Sequence, residues 1–93
     1  MVIDDELDIC IMLKVVLESN GFIANYYSNP IVALDEFKSN FYDLIILDIQ
    51  MSDINGMQLY REIRKRDIKT KICHSHPHLP TRCTNRLWHF YKI

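Results

Sequence analysis

Residues 42–48 read YDLIILD, and Leu44, Ile45, Ile46 and Leu47 run without interruption into Asp48. A strand with one wet face alternates apolar and polar residues. A run that is apolar on both faces belongs to a central parallel strand covered by helices on both sides. Such a strand obliges its neighbours in sequence to supply those helices and the flanking strands. The negative charge that closes it also needs a reason.

The flanking sequence supplies the helices. In ELDICIMLKVVLESNG, Ile9, Met12, Leu13, Val16 and Leu17 recur at i, i+3, i+4, i+7 and i+8, the stripe of an amphipathic helix. Asp5, Glu6 and Asp8 suit its positive N-terminal end, and Gly21 suits its C-terminal stop. Val2–Asp4 is a short apolar stub ending in acids, which fits a strand whose first residues are missing. FIANYY (22–27) is rich in β-formers and predicts a second strand. SNP (28–30) predicts a helix start, with Ser28 or Asn29 as cap and Pro30 at the first helical position. That helix should run to about Asn40, with Ile31, Leu34 and either Ala33 or Phe37 on its apolar face. MQLYREIRKRD predicts a third helix with Leu59 and Ile63 inward, and KTKIC (69–73) the start of a fourth strand. The resulting β-α-β-α-β-α-β order predicts an α/β fold with a doubly wound parallel sheet.

In such sheets function collects at the carboxyl ends of the strands. Asp4 and Asp5 follow the first strand and Asp48 ends the third. Neighbouring strands would bring these carboxylates into one cleft, where they raise one another's pKa values. A hard divalent cation resolves that repulsion. Mg²⁺ takes a few carboxylate oxygens, keeps several waters and shares phosphate oxygens, so the arrangement predicts an open Mg²⁺ site suited to phosphoryl transfer.

The acid pair after the first strand, the lone aspartate 43 residues beyond Asp5, and the M-x-D-x-N-G-M that follows resemble the receiver domain of two-component response regulators. The resemblance covers residues 1–73 and implies a flavodoxin-like receiver fold. It is incomplete here, with about three to four strands of five and three helices. It implies that Asp48 is the phosphoacceptor, phosphorylated by a histidine kinase or phosphotransfer protein, and that Asp5 is the direct Mg²⁺ ligand. Asp4 would support the metal, often through water, and Gln50 would offer its backbone carbonyl. Gly56 would permit the turn into the third helix, and Ser52 stands where the family usually has proline. The role implied is a phosphorelay switch rather than an enzyme.

The pattern breaks after Cys73. The family places a Thr or Ser after its fourth strand and a Lys after its fifth. HSHPHLPTRCTNRLWHFYKI offers only Ser75 as a weak candidate for the hydroxyl, and Lys92 as its late lysine. Residues 1–67 hold all twelve acids and six basic residues, whereas 68–93 hold five basic residues, no acid and all four histidines. The shift marks 1–73 as a partial receiver domain and 74–93 as a non-matching, irregular tail, as a change of reading frame or a gene-end artefact would produce. Without a last strand and its helices, one sheet edge should be uncovered and open to self-association.

Other readings are weaker. Cys73, His74, His76, His78 and Cys83 invite a zinc-binding tail but match no strong finger spacing. Arg64-Lys65-Arg66 could touch nucleic acid, although basic residues at a helix end usually just face solvent. A haloacid-dehalogenase-like phosphatase would carry a second aspartate where Gln50 stands. The serious rival is a non-phosphorylatable pseudo-receiver, or broken fragment, acting only as an interaction surface. An odd number of widely spaced cysteines predicts no disulfide, with Cys10 as inert packing. An acidic start and the lack of a long apolar run predict no membrane span and a cytoplasmic protein.

Overall fold

A computed structural model describes the backbone of residues 1–48, 55–76, 79–86 and 89–92, and side chains up to residue 74. The elements are β1 (Val2–Ile3), α1 (Leu7–Ser19), β2 (Tyr26–Tyr27), α2 (Pro30–Glu36) and β3 (Leu44–Asp48). They continue with α3 (Gly56–Arg66), β4 (Lys71–His76), β5 (Leu79–Arg86) and β6 (His89–Lys92). The sheet order is β2-β1-β3-β4-β5-β6. Its first four strands are mutually parallel, the doubly wound arrangement expected from the alternation.

Helix ends follow local chemistry. At the end of α1, the Phe22 N–H bonds Leu17 O and the Gly21 N–H bonds Glu18 O. Gly21 takes φ +88°, so this is the left-handed glycine stop that its position predicts. Asn29 caps α2 by accepting from the N–H groups of Ile31 and Val32, with Pro30 in the first turn. That helix ends at Glu36 rather than near Asn40. Asn55 and Gln58 form a reciprocal capping box on α3, which satisfies two otherwise orphaned donors.

The two faces of β3 differ. Ile45 and Leu47 are fully buried in a core shared with Ile3, Ala33, Leu59, Ile63 and Ile72. Leu44 and Ile46, on the other face, are only half-buried. That face carries α1, whose predicted stripe is only partly used. Ile9, Leu13 and Leu17 are half-buried, Met12 and Val16 are exposed, and the fully buried residue is Cys10. Ile31 on α2 is likewise exposed. A run apolar on both faces thus sits in a sheet with one closed face and one open face.

Three expectations about the tail need correction. The stretch expected to be irregular includes strands β5 and β6, both antiparallel. The edge of β4 expected to be uncovered is paired with β5. Only two residues separate His76 from Leu79, a connection that suits an antiparallel pair and cannot make a parallel crossover. Cys73 is disulfide-bonded, and the register sets Cys83 across from it. Counting cysteines along the chain could not show that a hairpin aligns them.

The basic cluster is not a free cationic patch. Arg64 is buried, and its guanidinium donates to Thr70 O at 2.6 Å, Asp67 O at 3.3 Å and the Tyr60 hydroxyl at 3.3 Å. It ties the end of α3 to the start of β4. Lys65 pairs with Glu62, and Arg66 donates to Leu34 O.

His74 is buried edge-on against Tyr60, and neither ring nitrogen has a hydrogen-bond partner among the described residues. Burial, then the nearby Arg64 charge, lowers its pKa below the ordinary 6.5. The unfolded chain therefore takes up a proton more readily than the folded one as pH falls. Stability should be whole above about 6.5 and decline below it, until the folded histidine itself titrates. His74→Leu removes two unsatisfied polar atoms and should stabilise the fold by about 1–3 kcal/mol. Thermal melts from neutral to acid pH check both points: the variant should melt higher and lose part of the acid-side slope.

Candidate functional site

The site grows from two adjacent strand ends. Strands β1 and β3 are hydrogen-bonded neighbours with Ile3 opposite Leu47, so the next residues, Asp4 and Asp48, emerge side by side. The chain leaves β1 for β2 on one side while β3 lies on the other, which makes this the point where strand order reverses and a crevice opens. One oxygen from each of Asp4, Asp5 and Asp48 lies within 4.8 Å of the others. Asp4 is buried, whereas Asp5 and Asp48 are partly exposed. The cluster is anchored inside and open to solvent.

Asp4 is held at both ends. Its Oδ1 accepts the Glu6 N–H at 2.9 Å, and its carbonyl accepts the Cys10 thiol at 3.2 Å. Burial raises its carboxyl pKa, opposed by the Glu6 hydrogen bond and reinforced by the charges of Asp48 and Asp5. Cys10, read from the sequence as inert packing, is a free thiol that braces the backbone of Asp4 and also reaches Tyr27 O. Burial pushes its own pKa up. An apolar helix stripe gives no hint of this role, since the contact depends on how α1 crosses the strand ends.

The donor set is all oxygen, and three carboxylates converge within 4.8 Å. That chemistry fits a hard divalent cation. Gln50 and Ser52 lie outside the described residues. Gly56 is the first residue of α3 and is buried. Among the described glycines, positive φ belongs to Gly21, so Gly56 is not needed as a left-handed turn. Ser75 stands directly across from Asp48 in the β3–β4 register. Its side chain, like that of Lys92 in β6, lies outside the described ones. Of the proposed zinc ligands, Cys73 is disulfide-bonded and His74 packs against Tyr60. The side chains of His76, His78 and Cys83 are outside the described set.

Three acids gathered where the strand order reverses in a parallel 2-1-3-4 sheet are the arrangement of a receiver-type fold. Comparison with known proteins agrees: the model of the response regulator receiver domain matches residues 1–76. The chain belongs to that family, the receiver domains of two-component signalling.

Among curated relatives, the nisin biosynthesis regulatory protein NisR of Lactococcus lactis is 35% identical over 77% of this chain and 31% of its own length. The CpxR homolog of Haemophilus influenzae is 32% identical over 70% of this chain and 28% of its own. The chain spans less than a third of the length of the curated relatives it matches. Among solved structures, the response regulator TrrA of Thermotoga maritima, in complex with Mg²⁺-BeF, has a TM-score of 0.72 and 39% identity. The match covers 83% of this chain and 69% of that one. A complex of the histidine kinase ThkA with TrrA matches with a TM-score of 0.71 and 39% identity, over 84% of this chain and 71% of that one. Among the described residues, no helix is long and apolar enough to cross a membrane.

Proposed function

We propose that this receiver domain accepts a phosphoryl group on Asp48 from a histidine kinase or phosphotransfer protein and acts as a phosphorelay switch, not as an enzyme. The observation that carries the reading is the convergence of Asp4, Asp5 and Asp48 within 4.8 Å. A carboxylate oxygen of Asp48 attacks phosphorus, the P–N bond to the donor imidazole breaks, and that nitrogen keeps the electron pair. The product is an acyl phosphate that adds charge at the sheet edge. Asp5 and Asp48 would hold Mg²⁺, with Asp4 supporting it, joined in the family pattern by the backbone carbonyl of Gln50. The ion would offset negative charge on the carboxylates and phosphoryl oxygens. TrrA, solved with Mg²⁺-BeF and with a kinase, supports both the metal and the partner. Exchange of this kind with a sensor kinase would place the protein in the cytoplasm. Residues 1–73 would form the receiver unit and 74–93 a tail outside its pattern.

One observation favours a second reading. Strand β5 runs antiparallel to β4, so among the described residues no parallel strand stands beside β4 in the place from which the family presents its lysine. A pseudo-receiver that serves only as an interaction surface would be built this way. Incubation with acetyl phosphate and Mg²⁺, followed by intact-mass measurement, separates the two. A single added phosphoryl group that disappears in Asp48→Asn supports the switch. A folded wild-type chain that never gains the mass is the pseudo-receiver.

A further inference from the structure

The carbonyl of Asp4 belongs to the peptide group that joins Asp4 to Asp5. That group is planar, so its orientation constrains ψ of Asp4 and φ of Asp5 together. Those two angles aim both carboxylates. Strand β1 ends at Ile3 and α1 begins at Leu7, so the plane lies between the two elements rather than within either.

Cys10 reaches this plane from one turn into α1. Its Sγ donates to Asp4 O at 3.2 Å and lies 3.7 Å from Tyr27 O, the carbonyl at the end of β2. Tyr27 O also accepts the Asp4 N–H at 3.2 Å. One thiol thus spans the exits of two neighbouring strands. The Cys10 N–H bonds Glu6 O at 3.2 Å, and the Glu6 N–H holds Asp4 Oδ1 at 2.9 Å. These contacts close a ring from Asp4 through Glu6 to Cys10 and back to Asp4. Cys10 is fully buried, so solvent does not compete for the carbonyl on this side. An apolar residue could fill the same space between α1 and the strand ends, but it would not supply the donor.

We infer that Cys10 is a positioning residue for the metal site: its thiol holds the Asp4–Asp5 peptide in the orientation that lets Asp4, Asp5 and Asp48 converge on Mg²⁺. The inference rests on the phosphoacceptor reading. Sγ ligates nothing and acts through the backbone of Asp4. Mg²⁺ demands near-ideal ligand geometry, so a peptide plane left free to rotate weakens binding even though every ligand is still present.

Three substitutions separate the donor from the packing. Cys10→Val keeps roughly the volume and loses the donor. Cys10→Ser loses volume and keeps a donor, and Cys10→Ala loses both. Titration calorimetry of the full chain with Mg²⁺ alone should sort by donor. Ala and Val should raise the dissociation constant about fivefold, the worth of one ordinary hydrogen bond, and Ser should stay within about twofold of wild type. Melting temperatures without metal should sort by volume instead, with Val near wild type and Ala and Ser below it. Amide exchange at Glu6, whose N–H holds the Asp4 carboxylate, should quicken in Ala and Val and not in Ser. If valine does not fit the site, the Ala and Ser pair, alike in size, still decides. Affinities that follow the melting temperatures, or that are equal in all four proteins, would overturn the inference alone. A wild-type chain that binds no Mg²⁺ would overturn the phosphoacceptor reading and this inference with it.

Discussion

Asp5→Asn should lower the affinity for Mg²⁺ by at least about tenfold, and the yield of acetyl-phosphate labelling with it. Three carboxylates confined within 4.8 Å repel one another in the free protein and attract a divalent cation together. Replacing one by an amide removes both effects, and they have opposite signs in the melting temperature. Without metal, the variant should be at least as stable as wild type, because Asp4, already raised by burial and by its acidic neighbours, loses one of those neighbours. With saturating Mg²⁺, wild type gains stability in proportion to the logarithm of metal concentration over its dissociation constant, and the variant gains little. Calorimetric titration together with melts at several Mg²⁺ concentrations reads both signs. Equal Mg²⁺ binding by the two proteins would mean that the acids are merely solvated strand ends.

Leu59→Ala should cost about 2–5 kcal/mol. Leu59 is fully buried on α3 among Ile45, Leu47, Ile63 and Ile72, where backbone and neighbours leave little room to collapse into the vacated space. A chain of this length has roughly 5–14 kcal/mol of total stability. The loss is therefore a large share, and the midpoint should fall by roughly 10–25 °C. Ile31→Ala, at a position 53% exposed on α2, should stay within about 0.5 kcal/mol. Urea titrations of the pair compare a core position with one that the sequence stripe placed inward and the structure leaves in water. Similar losses would mean that α2 buries a different face from the one seen.

How much was legible depended on whether the signal was local. The strand run of 44–48, the Asn29-Pro30 start, the Gly21 stop and the inward Leu59 and Ile63 all follow from periodicity and capping. Those depend only on neighbours along the chain. The pairing of Asp4 and Asp5 with Asp48 was also readable, since alternating strands and helices force parallel neighbours whose carboxyl ends lie on one edge. The family match over residues 1–76 agrees with the extent over which those local signals persist.

What sequence patterns could not supply was the far partner of each group. Met12, Val16 and Ile31 carry the right periodicity for burial, yet periodicity names a face of a helix without saying whether anything covers it. Arg64 looks like part of a solvated basic end, but the return of the chain into β4 brings the carbonyls of Asp67 and Thr70 to its guanidinium. Cys10 looks like packing until α1 is laid across the strand ends and its thiol meets Asp4 O. Cys73 and Cys83 are ten positions apart in sequence and are opposed only because β5 folds back antiparallel. The sequence by itself determined the alternating order of elements and the edge where the acids gather, because short-range sterics and hydrophobic period settle those. Only the tertiary structure decided which apolar face stays open and which polar groups find partners, because those depend on chain segments that are distant in sequence and close in space.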